Sequence, residues 1–312
     1  MINQEKQILF EPWNMGDALI AAAIAVQRPQ LLALACNSRW HPLILAATVG
    51  VAAIELVTVD LDYVKRGYSR RTELGPLPLY PHNTRVLTIR GDIRDYIAAK
   101  RIFPQSNIRA SGWLAFAARR SRLLDIPFSL GWVKVRNRYR AWASIAGVKW
   151  DVIEQFYGQK RASPEAPLIT VHFGAQWCSR QYPHIALLAE LLYKTTAVQL
   201  VGGPGDPLPL GISEGSVRRL IDAELVDAFR ASTLVIANDS GAMHLAAFLR
   251  CQVVSISRIS SIAEWLPPST MTVQSKRMPH GYRPDTRYMS DDPVEGWPAP
   301  AEILQRVQSI MT

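Results

Sequence analysis

The chain has 312 residues, 48% hydrophobic and 20% charged, the balance of a globular protein with room for two domains. No apolar run reaches the ~18 residues of a membrane-spanning helix, the polar amino terminus has no signal-peptide pattern, and three scattered cysteines (Cys36, Cys178, Cys251) form neither a disulfide framework nor a Cys-x-x-Cys metal site. A net charge of +9 and a pI near 9.6 favour anionic partners, whether nucleic acid, acidic lipid or a phosphorylated saccharide, and a cytoplasmic address is expected.

Gln7–Phe10 reads as a first strand, followed by Glu11-Pro-Trp-Asn-Met-Gly-Asp17 and a helix of small apolar residues, Ala18–Val26. Pro12 and Gly16 mark a loop, and Asp17 falls at or near the helix start. A carboxylate there complements the helix dipole, or it is a general base at a strand end. Strands at Leu31–Cys36 and Ile54–Val59 flank a helix around His41–Val49. Asp60-Leu-Asp62 has a spacing that can hold a divalent metal, but with no other ligand cluster nearby it reads as a strand end. Residues 63–84 look like a loop insertion, and Val86–Ile89 is a further strand. Gly91–Asp95 opens another helix, two short elements fill Ile97 to about Trp113, and Trp142–Ile153 reads as one helix closing the first half. Residues 85–140 concentrate basic side chains, including Arg90, Arg94, Arg119 and Arg120, interleaved with Trp113, Phe116, Trp132 and Trp142. Such a run is either a solvated face or a surface for an anionic, amphiphilic ligand.

Gln159–Pro167 is the best linker candidate, after which the alternation restarts. Leu168–His172 is a strand, 173–183 a loop with Gly174 early and Arg180 late, Ile185–Tyr193 a helix, and Ala197–Val201 a strand running into Gly202-Gly-Pro-Gly-Asp206. Those glycines allow close backbone approach to a ligand, without matching a dinucleotide or Walker fingerprint. Then come a helix from Val226 to Ala231, a strand Leu234–Ala237, the turn Asn238-Asp-Ser-Gly241, an apolar helix and a strand Val253–Ile256. This is the unit of a parallel α/β sheet, and such sheets bind ligands where strand carboxyl ends meet helix amino ends. Asp239-Ser240-Gly241 offers N–H groups and a hydroxyl to a phosphate, or it is merely an N-cap. After Ile256 the chain turns Pro-rich and irregular, and Ala301–Met311 is a final amphipathic helix packed on the body, with a return toward the first domain left open. The reading is two α/β domains, 1–162 and 163–312, facing a central cleft.

Four segments carry a resemblance: Ile8 to Leu19 around Gly16-Asp17, His172-Phe-Gly-Ala-Gln-Trp-Cys-Ser-Arg180-Gln-Tyr-Pro183, Gln199-Leu-Val-Gly-Gly-Pro-Gly-Asp206, and Ala237-Asn-Asp-Ser-Gly-Ala-Met-His244-Leu-Ala-Ala247. In order and spacing the chain resembles glycosyltransferase family 9, the ADP-heptose:lipopolysaccharide heptosyltransferases. The resemblance implies a GT-B fold of two Rossmann-like domains, acceptor-binding then donor-binding. It also implies metal-independent inverting transfer with no cofactor, the nucleotide-sugar being a substrate. Asp17 matches the general base and Arg180 the cation toward the donor diphosphate. Gly16, Ala175, Gln176, Ser179, Gly202, Gly203, Asp206, Asp239, Ser240, Gly241 and His244 match donor-site positions, with Asp206 toward the ribose and Ser240 and Gly241 toward the phosphates. His244, inside an apolar helix, reads equally as a core histidine. The implied donor is ADP-heptose and the implied acceptor an anionic, lipid-linked glycan of the lipopolysaccharide core. Arg90, Arg94, Arg119 and Arg120 are the acceptor-binding candidates, and reversible docking to the inner leaflet follows from the basic face. Three departures stand out, the first being Arg180 where the family usually carries Lys. Ser257-Arg-Ile-Ser replaces the family's Gly-Pro/Gly-Ser/Thr turn, and the late cysteine cluster is missing. A non-catalytic nucleotide-sugar or glycan-binding relative is the alternative. A nucleic-acid partner is not expected, since no helix-turn-helix, RRM or zinc pattern occurs.

Overall fold

The computed structural model describes residues 6–61, 63–64, 67–68, 84–90, 93–110, 137–162, 166–176, 180–258, 262–274 and 296–311. The chain divides into two compact units: among the described residues the first holds those up to Ala110 and Arg138–Ile153, and the second holds Asn137 and those from Glu154 onward.

The first unit is built on a parallel sheet. Its strands are β1 (Gln7–Phe10), β2 (Leu32–Cys36), β3 (Glu55–Thr58), β6 (Arg85–Thr88) and β7 (Asn107–Ala110), in the spatial order β3-β2-β1-β6-β7. A separate antiparallel pair, β4 (Tyr63–Val64) and β5 (Gly67–Tyr68), lies within the segment read as an insertion. Ile8, Leu9 and Phe10 are fully buried, as are Ala33, Leu34, Ala35 and Cys36. Continuous apolar strands of this kind belong to a parallel sheet covered on both faces. Helix α1 (Met15–Ala25) is buried from Asp17 to Ala25, which a run of small apolar residues permits. It begins three residues earlier than the sequence suggests, so Gly16 and Asp17 lie inside its first turn. Helices α2 (His41–Thr48) and α3 (Ile93–Ile102) complete the alternation. The single helix expected over Trp142–Ile153 is two, α4 (Arg138–Ile145) and α5 (Trp150–Gly158). The break is at Gly147, whose φ of +69° is left-handed and ends α4.

The second unit carries a six-stranded sheet. Its strands are β8 (Leu168–His172), β9 (Ala197–Gly202), β10 (Val217–Arg219), β11 (Leu234–Asn238), β12 (Gln252–Ser257) and β13 (Met271–Gln274), ordered β10-β9-β8-β11-β12-β13 and parallel throughout. Strands β10 and β13 escape a reading of the sequence: one is three residues long, and the other sits in the stretch read as irregular. Among the described residues the unit's helices include α6 (Ile185–Tyr193), α7 (Asp222–Arg230), α8 (Gly241–Phe248), α9 (Ile262–Trp265) and α10 (Pro300–Met311). The last helix packs on this unit's own core, its Ile303 and Val307 clustering with Ile185, Leu188, Val254 and Ile256. The candidate linker is anchored here too: Arg161 N–H donates to Arg250 O at 3.1 Å and Lys160 Nζ to Ser269 O at 3.0 Å.

Both strand orders reverse direction once. In the first sheet the reversal lies between β1 and β6, and in the second between β8 and β11. At such a switch point the two adjoining loops leave the sheet in opposite directions and open a crevice at the carboxyl ends.

Candidate functional site

The switch point of the first unit gathers Glu11, Asp17, Arg90 and Asp95. Asp17 is 6% exposed at the third position of α1, and Arg90 lies just past β6. Arg90 Nη1 is 3.3 Å from Asp17 Oδ2 and 3.9 Å from Glu11 Oε1. Arg90, an acceptor-binding candidate, is thus engaged by two carboxylates of its own unit. Glu11 is fully buried, and its Oε2 has no hydrogen-bond partner. Burial, then the neighbouring Asp17 charge, pushes the Glu11 carboxyl well above its usual range, and Arg90 only partly opposes this. Trp13 Nε1 donates to Asp95 at 2.6 Å, and the Trp13 carbonyl accepts from Arg39 and Trp40, both at 3.0 Å, which pins the 11–14 loop. Asp60 accepts from the Ser38 N–H at 2.8 Å and hydroxyl at 2.9 Å, a strand-end tie. The Arg94 side chain and all of Asp62, Arg119 and Arg120 lie outside the described residues, as do Trp113, Phe116 and Trp132.

The switch point of the second unit is a tied set of loops. Asn238, at the end of β11, donates to Phe173 O at 2.8 Å and accepts the Tyr182 N–H at 3.1 Å, joining the loop after β8 to the β11 turn. Gln181 donates to Ala175 O at 2.8 Å within the same loop, where Ala175 is buried and Gln176 exposed. Asp206 accepts the Gly203 N–H at 2.7 Å, and a Cβ on Gly174 would overlap its carboxylate. A Cβ on Gly202 would overlap the Phe173 ring. These two glycines exist for close packing of loop on loop. Arg219, from β10, donates to Gly203 O at 3.1 Å and Asp206 O at 2.8 Å, with its guanidinium over Phe173. The 203–206 loop is therefore held from two sides, and Asp206, expected at the ribose, spends one oxygen on the loop itself.

Beside it, Arg180 Nη1 is 3.4 Å from both the carboxylate and the carbonyl of Asp239. Ser240 takes the N-cap position of α8 with extended backbone, yet its hydroxyl makes no cap bond and is buried without a partner. An N-cap serine earns its place by accepting a helix N–H, so capping does not account for this one. A hydroxyl and first-turn N–H groups facing a strand end are an anion-binding arrangement. His244 lies one turn into α8. Burial pushes its pKa down to about 4, Asp239 opposing and Arg180 reinforcing. It is a neutral imidazole at pH 7, able to hydrogen-bond but not to bring positive charge. Ser179 lies outside the described residues.

No family model matches the sequence, and no curated protein matches it. Solved structures do match. The glycosyl transferase family 9 protein of Veillonella parvula DSM 2008 superimposes with a TM-score of 0.63 at 14% identity, covering 100% of this chain and 98% of that one. The fold is GT-B. The E. coli ADP-heptose lps heptosyltransferase II gives 0.56 at 16% identity, with 98% of each chain covered. The E. coli heptosyltransferase WaaC with ADP-2-deoxy-2-fluoro heptose gives 0.57 at 11% identity, covering 98% of this chain and 99% of that one. The GT-B architecture accounts for both parallel-sheet units. Of the sequence candidates, the structure brings Arg180, Asp239, Ser240, Gly241 and His244 to one strand end. Gly202 closes β9, Ala175, Gly203 and Asp206 lie on the adjoining loops, and Gly16, Asp17 and Arg90 in the other unit. Asn238, Tyr182, Arg219 and Glu11 were missed as site residues. Asn238, Tyr182 and Glu11 stood within the recognised segments, whereas nothing local marks Arg219, which arrives from an unpredicted strand.

Proposed function

We propose that this chain is an inverting glycosyltransferase that uses a nucleotide-diphospho-sugar, with heptose from ADP-heptose as the first donor to test. The observation that carries the reading is the β11–α8 turn at the switch point of the second unit. There a buried, unpartnered Ser240 hydroxyl, a helix amino terminus and the Arg180–Asp239 pair meet. A hydroxyl donor, backbone N–H groups and a guanidinium are suited to a diphosphate. The GT-B likeness, which includes structures holding ADP or an ADP-heptose analogue, supports the same ligand class.

In this reading the acceptor hydroxyl oxygen attacks the anomeric carbon as the bond from that carbon to the diphosphate oxygen breaks, inverting the configuration. Asp17 takes the hydroxyl proton, and the negative charge gathering on the departing nucleoside diphosphate is met by Ser240, the α8 terminus and Arg180. Arg90 Nη1, 3.3 Å from Oδ2, orients the Asp17 carboxylate from one side for that role. An anionic, lipid-linked glycan is the proposed acceptor, approached from the inner face of the cytoplasmic membrane. Among the described residues no helix is long and apolar enough to cross a membrane. The reading assigns no step to a metal or cofactor, and among the described residues no group of three His, Cys, Asp or Glu side chains is placed to hold a metal ion.

Thermal-shift screening against ADP-, UDP-, GDP- and CDP-sugars tests donor binding, and transfer with D17N and D17A tests the base. Donor binding retained with transfer lost in both variants is the expected result. Transfer retained in both removes Asp17 as the base, and donor binding without turnover in the wild-type chain, acceptor present, favours a non-catalytic relative.

A further inference from the structure

Just past the end of β12 the chain buries Arg258, which is 6% exposed. Its Nε is buried without a partner, and among the described residues its guanidinium has neither a hydrogen bond nor an ion pair. A buried charge with no counter-ion costs several kcal/mol, and replacing it by an apolar side chain would be the simple remedy. A chain that keeps it offers the charge to something that arrives.

The position says what arrives. Strands β11 and β12 pair in register at Asn238 and Ile256, and Asp239 N–H continues the ladder to Ile256 O at 3.2 Å. Arg258 lies two residues past that pair on one strand, and Ser240 two residues past it on the other. Two polar side chains with buried, unpartnered atoms thus leave neighbouring strand ends together. Arg180, by contrast, has its charge matched by Asp239 at 3.4 Å, so that pair brings little net charge to a ligand. Resting on the donor reading above, we propose that Arg258 is a donor-binding residue whose guanidinium takes the diphosphate oxygens of the nucleotide beside Ser240. It supplies the net positive charge that the Arg180–Asp239 pair lacks. The sequence departs from the family pattern here, with Ser257-Arg258-Ile-Ser in place of a Gly-Pro/Gly-Ser/Thr turn.

Wild-type chain, R258M and R258K are titrated calorimetrically with ADP, UDP, GDP, CDP, adenosine, the preferred sugar nucleotide and inorganic pyrophosphate, and melted without ligand. Expected are tight binding of one nucleoside diphosphate by the wild type and a loss of roughly 30-fold or more in R258M. Partial recovery is expected in R258K, which keeps the charge but not the fork. Without ligand R258M melts about 2–4 °C higher, because a buried unpaired charge has gone. A structural arginine would give the opposite pattern, a lower melting temperature with unchanged diphosphate affinity, and that overturns the proposal. So does a defect confined to the sugar nucleotide with bare diphosphates unaffected, which would put the anion on the sugar. Pyrophosphate binding that depends on Arg258, with no nucleoside diphosphate bound, leaves Arg258 as a diphosphate ligand and removes the nucleotide-sugar reading. Binding of neither by the wild type removes both.

Discussion

Arg90 Nη1 sits 3.3 Å from Asp17 Oδ2, and the same nitrogen is 3.9 Å from the buried Glu11. One cation therefore serves two carboxyl groups, and they are not equivalent. Glu11 is buried further and holds its proton more tightly than in the unfolded chain, where its pKa is near 4.5. The folded state is stabilised by that proton below pH 4.5, and the contribution is lost as pH rises through the elevated folded value. In E11Q, urea unfolding followed from pH 4 upward should lack this decline. A wild-type decline retained in E11Q would assign it elsewhere.

Removing the shared cation is the harsher change. R90M leaves Asp17 buried beside Glu11 with no compensating charge from Arg90, and should cost about 3 kcal/mol of stability. The R90M/E11Q double variant should recover part of that loss, because one carboxyl is then permanently neutral. A double-mutant cycle measures the coupling, and strictly additive losses would show that Arg90 and Glu11 do not interact.

His244 carries a dependence of opposite sign. Its pKa falls from 6.5 to about 4 on folding, so the unfolded chain binds the extra proton between those values. Stability from this residue is complete above pH 6.5 and is lost as pH falls toward 4, by roughly 3 kcal/mol. In H244N the unfolding free energy should lose that slope, while the Glu11 contribution persists in the same range. NMR titration of the imidazole checks the value directly, and a midpoint near 6.5 would contradict the burial argument.

Gly174 and Gly202 should tolerate no side chain. G174A forces the Asp206 carboxylate away from Gly203 N–H, and G202A forces Phe173 to shift beneath Arg219. Each should lower stability by about 2 kcal/mol and weaken nucleotide binding by more than tenfold, read by melting and calorimetry. In D206A the clash at position 174 disappears, so adding G174A to D206A should cost much less than G174A alone.

Donor binding and transfer should persist in EDTA, since the diphosphate reading relies on side chains and backbone N–H groups. Membrane docking, proposed from the +9 net charge, should appear as co-sedimentation with acidic vesicles that fades as salt is raised. Binding undiminished at high salt would point to apolar insertion.

The alternation of apolar strands with helices, the turn Asn238-Asp-Ser-Gly241 and the Gly16-Asp17 start of α1 were legible in the sequence. They depend on local periodicity and on residues within one turn of one another, and local sterics and hydrogen bonding act over that range. The helix over Trp142–Ile153 was misread because Gly147 sits in the middle of an otherwise continuous apolar pattern, and one left-handed glycine outweighs that periodicity. Strands β10 and β13 needed the tertiary structure, because three- and four-residue strands are held by their neighbours' hydrogen bonds more than by their own composition. The same holds for chemistry. The residue types at positions 11, 90, 240 and 258 were always visible. That Glu11 shares a cation with Asp17, that Ser240 caps nothing and that Arg258 is buried without a counter-ion were decided only when strands far apart in the chain came to lie side by side. Burial and electrostatic pairing are properties of the assembled sheet, and no window along the chain contains them.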